Sequence, residues 1–182
     1  VSQSITLESL WQSERLFHTA ILAGGLTTEA VAASLSPFDD RIHQVKGHSA
    51  QIQVAQLYRE ILNDSQINRQ AGGNKPIQNP YSIRCQPQVM GAIRHQFDWV
   101  LQTLTVEMNS VSDNPLVFSE ENEIISGGNF HGEMIAMMAD NLALSIAEIG
   151  ALSERRIALL IDEQFSGLPA FLVKDHGINS GF

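Results

Sequence analysis

A single cysteine, Cys85, occurs in the 182 residues, so no disulfide can form within the chain, and the reducing cytoplasm is the expected compartment. Positive charge is also scarce, with 11 Lys and Arg against 20 Asp and Glu and a formal net charge of -9. Binding to nucleic acid rests on Lys and Arg neutralising many phosphates, so no nucleic-acid partner is expected. No uninterrupted apolar run reaches the roughly 20 residues that cross a bilayer. The opening Val1-Ser2-Gln3-Ser4 has neither the basic nor the apolar stretch of a leader, so no membrane partner is expected either. The six histidines (His18, His43, His48, His95, His131 and His176) include no i, i+4 pair with a third ligand nearby, and no metal is expected. G-x-S-x-G, phosphate-loop and C-x-x-C patterns are missing as well.

What is present is apolar material, 43% of the chain, enough to bury one sizeable core. The chain opens on valine and stops at Gly181-Phe182 without a polar tail, and is expected to be an excised segment, or a processed piece, of something longer. Leu7, Leu10, Trp11, Phe17, Ile21 and Leu22 recur at helical spacing over residues 7–23, and Gly24-Gly25 supplies a stop. Thr27 or Thr28 then caps a short helix to Ala33, broken by Ser36-Pro37 and a turn at Phe38-Asp39-Asp40. An amphipathic helix follows over 49–62. The polar composition of 63–79 predicts a long loop. Residues 86–109 repeat the helical pattern, with Pro87 harmless in the first turn, and stop at Ser112-Asp113-Asn114-Pro115. Residues 116–118 and 123–125 predict a small hairpin, and 130–161 one helix of roughly 45 to 50 Å. That helix is apolar on several sides and needs neighbours to cover it. The fold class is therefore mostly α, a bundle of long helices with a small hairpin near 116–125.

Three polar clusters are candidates for chemistry. In QNPYSIRCQPQ (78–88), Tyr81 and Arg84 lie three residues apart, so one turn of helix puts a phenol and a guanidinium on the same side. The guanidinium fork matches a carboxylate at two points, and a phenol can donate, accept or take up a proton. On spacing alone, an ordinary helix start with a surface arginine is the better account. In ISGGNFH (125–131) two glycines allow close backbone approach to a ligand, although on the residues alone a plain helix start with Asn129 as N-cap is the better account. VSDNPLV (111–117) favours turn and cap roles. Ser153-Glu154-Arg155-Arg156 reads as a solvated or inter-helix salt-bridged face, and Cys85, beside Arg84, as either a thiol of lowered pKa or, more commonly, a buried inert one.

Taken together, QNPYSIRCQPQ, VSDNPLV, ISGGNFH, LSERRI (152–157) and residues 168–182 resemble the aromatic amino acid lyases in order and spacing. SPFDDRIHQVKG (36–47), with Phe171-Leu172-Val173 and the closing Gly177-Ile178-Asn179-Ser180-Gly181-Phe182, is most similar to the bacterial histidine branch. The resemblance covers essentially the whole chain. It implies the helical bundle of that family, with 1–182 as the central part of a lyase domain, a homotetramer, and elimination of ammonia from L-histidine to give urocanate. It also implies the electrophile 4-methylidene-imidazole-5-one (MIO), formed from an Ala-Ser-Gly triplet. That triplet is absent: the Ser-Gly pairs at Ser126, Ser166 and Ser180 follow Ile125, Phe165 and Asn179.

By the same resemblance Arg84 grips the substrate carboxylate, Tyr81 assists the amino group or its departure, and Gln78 stands beside it. Phe130 packs against the cofactor ring, and Asn114 joins the polar surround. The family's general base and a glutamate that seats the imidazole lie outside this chain. Asn79 stands where the family usually has aspartate, removing a negative charge near Arg84. A non-catalytic helical assembly module, and a related tyrosine ammonia-lyase or aminomutase, are the alternatives.

Overall fold

A computed structural model describes residues 1–70 and 78–179. Four long helices form the body: α1 (Ser2–Ala30), α3 (Ser49–Leu62), α6 (Gln86–Met108) and α7 (Glu133–Ile161). Shorter helices are α2 (Asp40–Lys46), α4 (Gln66–Gln70), α5 (Tyr81–Arg84) and α8 (Glu163–Ser166). β1 (Leu116–Phe118) and β2 (Glu123–Ile125) make one antiparallel hairpin with Leu116 opposite Ile125 and Phe118 opposite Glu123. The mostly α expectation with a hairpin at 116–125 therefore holds.

The main core is one seam, and Ala33, Ile83 and Leu159 form a second, smaller cluster. Leu10, Phe17 and Ile21 of α1 meet Val54 and Tyr58 of α3, Met90, Phe97, Val100 and Leu104 of α6, and Met138, Leu142 and Ile149 of α7. Each set recurs at three- and four-residue steps, so each helix turns one stripe inward. At about 1.5 Å per residue α7 is some 44 Å long. By length and apolarity it has what a bilayer span requires, yet its buried stripe packs on α1 and α6. Asp140, Glu148, Glu154, Arg155 and Arg156 interrupt it.

Several local expectations are corrected or refined. Gly24-Gly25 does not stop the first helix, because α1 runs through to Ala30. These glycines serve close packing: a Cβ on Gly24 would lie 2.0 Å from Gln86 Oε1, and one on Gly25 2.9 Å from Ile61 Cγ2. Thr27 and Thr28 cap nothing, since their hydroxyls donate back to the Ala23 and Gly24 carbonyls, each at 2.8 Å. The turn at Phe38-Asp39-Asp40 launches α2, with Asp39 as its N-cap accepting from Arg41 N at 3.0 Å and Gly47 closing it at φ 81°. The loop over 63–79 contains α4, whose start is held by Ser65: its Oγ accepts from Asn68 N and donates to Glu29 Oε1 at 2.6 Å. Residues 71–77 of that stretch lie outside the described residues.

At the other end, α7 begins at Glu133 rather than Phe130. His131 Nδ1, not Asn129, accepts from the Glu133 N–H, while Asn129 Nδ2 donates to Val111 O. Arg156 is also not solvated. It is 3% exposed, and its Nη1 donates to Gln86 Oε1 at 2.9 Å, where Tyr58 OH also donates at 3.0 Å. Gln86 Nε2 donates to Thr28 Oγ1, so one amide ties together α1, α3, α6 and α7. Burial pushes the Arg156 guanidinium down and the Tyr58 phenol up from their ordinary values. Only Glu154 and Arg155 form the exposed ion pair that the charge pattern suggests.

Candidate functional site

The candidate site is built at the junction of α5 and α6. Pro80 enters α5 in an extended conformation, four residues of helix follow, and Cys85 at φ -95°, ψ 7° bends the chain into α6. Pro87 occupies the first turn of α6, where its missing N–H costs nothing. One short turn therefore carries Tyr81 and Arg84 on the same side, and the Arg84 guanidinium lies 4.2 Å from the centre of the Tyr81 ring. Stacking of this kind fixes the plane of the fork and leaves its edges free for acceptors. Tyr81 is 72% exposed, so the outer face of its ring is open.

Behind the pair lies a cavity of about 320 Å³ lined by Ser36, Pro37, Ile42, Gln78, Asn79, Arg84, Cys85 and Gln88. Asn79 is buried against Ser34. Its Oδ1 accepts from the Ser34 N–H at 3.0 Å and its Nδ2 donates to the Ser34 carbonyl at 2.7 Å. An amide satisfies both backbone groups at once, whereas an ionised carboxylate can only accept. The asparagine oxygen and nitrogen therefore each have a partner in Ser34. Burial raises the Cys85 thiol above its ordinary value, and the opposing pull of Arg84 does not reverse that. The half-buried Cys85 thiol is thus not the lowered one that its neighbour Arg84 suggested.

Sequence reasoning passed over Gln88, although its position four residues after Arg84 was the available signal. Its Oε1 and the Arg84 Nε are both buried without a hydrogen-bond partner among the described residues. Gln78, Tyr81 and Arg84 are thus brought together, with Asn79, Cys85 and Gln88 around them.

Asn114 and Phe130 form a second group. Asn114 Oδ1 accepts from Ser126 Oγ at 3.0 Å and from the Gly127 N–H at 2.7 Å, clamping the base of the hairpin to the glycine turn. Phe130 projects beyond that turn at 62% exposed. No hydrogen bond or ring contact joins this group to Arg84 among the described residues, so the two halves stand apart within one chain. No cluster of three or more His, Cys, Asp or Glu able to hold a metal occurs among the described residues.

Residues 1–182 match the family model described as "Aromatic amino acid lyase". The chain is 60% identical over 182 residues to the histidine ammonia-lyase of Legionella pneumophila subsp. pneumophila (strain Philadelphia 1), covering 100% of this chain and 36% of that protein. It spans about a third of the length of the curated relatives it matches. Among solved structures it is similar to histidine ammonia-lyase from Trypanosoma cruzi, with a TM-score of 0.88 and 40% identity over 100% of this chain and 33% of that one. It is also similar to the phenylalanine aminomutase of Pantoea agglomerans, with a TM-score of 0.92 and 31% identity over 99% of this chain and 39% of that one.

Proposed function

The chain belongs to the aromatic amino acid lyase family, and from that premise we propose that residues 1–182 are the central helical part of a lyase domain that eliminates ammonia from L-histidine to give urocanate. The observation that carries this reading is the Arg84 guanidinium stacked on Tyr81 at the mouth of a cavity. The greater identity to histidine ammonia-lyases than to the aminomutase favours histidine as substrate.

In the reaction the Cα–N bond breaks, a proton leaves Cβ, and the two carbons become doubly bonded. Arg84 binds the substrate carboxylate through its charged fork and fixes the rest of the molecule relative to it. Tyr81, its phenol open to solvent and its ring under the guanidinium, meets the amino group at the adjacent carbon and hands a proton to the departing nitrogen. Gln78 supplies an amide at the cavity edge. Phe130 offers an exposed aromatic face, and Asn114 holds the turn that presents it.

These residues fit the MIO group of the family: the Tyr81 and Phe130 rings both stand exposed. When bound, MIO supplies the electron-poor centre that turns the amino group into a leaving group, and its Ala-Ser-Gly precursor is absent from this chain. Phe130 would hold one face of it and Asn114 the polar surround. Assembly as a homotetramer is supported by the apolar side chains left exposed along α7, and a cytoplasmic location by the single thiol.

Full-length protein incubated with L-histidine is expected to raise the absorbance of urocanate. Arg84→Ala should lower kcat/KM by about 10- to 150-fold, the equivalent of a charge-assisted contact of about 1.5 to 3 kcal/mol. Unchanged kinetics in Arg84→Ala would remove the carboxylate assignment. The likeness to the phenylalanine aminomutase supports a second reading, and a β-amino acid product in place of urocanate would select it.

A further inference from the structure

Arg84 and Gln88 each leave one buried polar atom unpaired, and the two atoms are complementary. Arg84 Nε is a donor and Gln88 Oε1 an acceptor, both shielded from solvent and without a hydrogen-bond partner among the described residues. Both side chains line the same cavity of about 320 Å³. They stand four residues apart on either side of the Cys85 bend, where the Cys85 N–H to Tyr81 carbonyl bond closes α5 and the Val89 N–H to Cys85 carbonyl bond opens α6, each at 3.0 Å. What brings the two side chains to one place is the shared cavity. Buried polar groups left without partners are rare in folded proteins, and a donor and an acceptor orphaned in one cavity point to a contact that the working state makes.

We propose that Gln88 is a positioning residue for Arg84: its Oε1 accepts from the Arg84 Nε–H in the assembled enzyme and thereby turns the guanidinium so that the Nη1 and Nη2 edge faces the substrate carboxylate. Of the donors on the fork, Nε is then occupied from behind, the π-face is held by Tyr81, and only the outer edge remains for a bidentate grip. Gln88 itself touches no substrate. The inference rests on the reading of Arg84 as the carboxylate-binding residue.

The test uses full-length protein and two ligands that differ in the carboxylate alone, L-histidine and histamine. Gln88→Leu keeps the bulk and removes the acceptor. It is expected to raise the KM for histidine about tenfold, with kcat changed far less, while leaving the inhibition constant of histamine within about twofold, because only one hydrogen bond to a charged group has gone. Gln88→Glu retains an acceptor at the same place and should keep the KM within about threefold of the parent. Equal weakening of both ligands by Gln88→Leu, or no weakening of either, overturns the proposal, as does a Gln88→Glu protein as impaired as Gln88→Leu. Arg84→Ala separates the two levels of the argument. If it abolishes the preference for histidine over histamine while Gln88→Leu does not, the site stands and the role of Gln88 falls. If Arg84→Ala also leaves that preference intact, the site reading itself falls.

Discussion

His43 is a residue whose partners fix its protonation state. It is fully buried, its Nε2 lies 2.9 Å from the Pro37 carbonyl, and its Nδ1 lies 3.0 Å from Gln51 Nε2. A carbonyl can only accept and an amide N–H only donate, so Nε2 carries the proton, Nδ1 is the acceptor, and the ring is neutral. Burial holds its pKa below the ordinary 6.5. The sign follows from linkage. The unfolded chain takes up the proton more readily than the folded one, so the stabilisation is fully present above about 6.5 and is lost as pH falls from there through the lower folded value. Chemical denaturation of the 182-residue chain between pH 7.5 and 5 should therefore show stability declining on the acid side, with the slope flattened in His43→Leu. A slope unaltered by that substitution would assign the decline to other groups. The other five histidines are exposed, which makes the experiment specific to His43. From the sequence all six histidines looked alike, because nothing in the spacing of His43 reports that Pro37 and Gln51 close around it.

At the scale of elements, the helices that the sequence made legible are those whose apolar residues recur without interruption. α3 and α6 and the two strands fall where their patterns put them, since burial of a continuous stripe outweighs weak local preferences. Misreadings cluster where one residue type serves two physical ends. A glycine ends helices by adopting positive φ, and it also lets two helices approach closely. Only the neighbours decide between these roles, and for Gly24 and Gly25 those neighbours lie in α3 and α6. Gly91 makes the same point at the α3 and α6 crossing: a Cβ there would lie 2.5 Å from Gln51 Cα and 2.8 Å from Gln51 N. These are backbone atoms, which cannot swing aside as a side chain can, so the helices themselves would have to separate. Gly91→Ala should thus lower stability by about 1 to 3 kcal/mol, the usual scale for overpacking, despite the better helix propensity of alanine. A thermal or urea melt in which Gly91→Ala matched or exceeded the parent would refute the close crossing. Arg156 was misread for a related reason, because a cation in an acidic and basic run signals solvent, whereas here the inward stripe of α7, at Met138, Leu142, Ser145, Ile149, Leu152, Arg156 and Leu159, carries it into the core.

At the scale of the whole molecule, surface area shows what the chain leaves open. Its accessible surface is 11656 Å² at 20.0 kDa. A compact monomer of that mass exposes about 8,700 Å² by the usual scaling, so roughly 3,000 Å² is in excess. That excess is the size of a large, obligate interface. It carries apolar side chains: Met134, Met137, Leu144 and Ile157 along α7, and Trp11, Leu22 and Leu26 along α1, are each about half exposed or more. The need for neighbours was legible in the sequence, because no helix apolar on several sides can cover itself. The chemistry was less so, since Arg84 and Tyr81 on one side and Phe130 and Asn114 on the other share no hydrogen bond or ring contact among the described residues, and no local pattern reports that separation. The 182-residue chain alone should therefore associate rather than behave as a monomer. Sedimentation from about 1 to 100 μM is expected to show concentration-dependent species and enhanced fluorescence of a dye that binds apolar surface, both reduced when Met137 and Leu144 are replaced by glutamate. These two positions lie off the buried stripe of α7, so helicity should survive the substitution. A single monomeric species across that range, with no dye binding, would mean that the exposed faces of α1 and α7 need no cover.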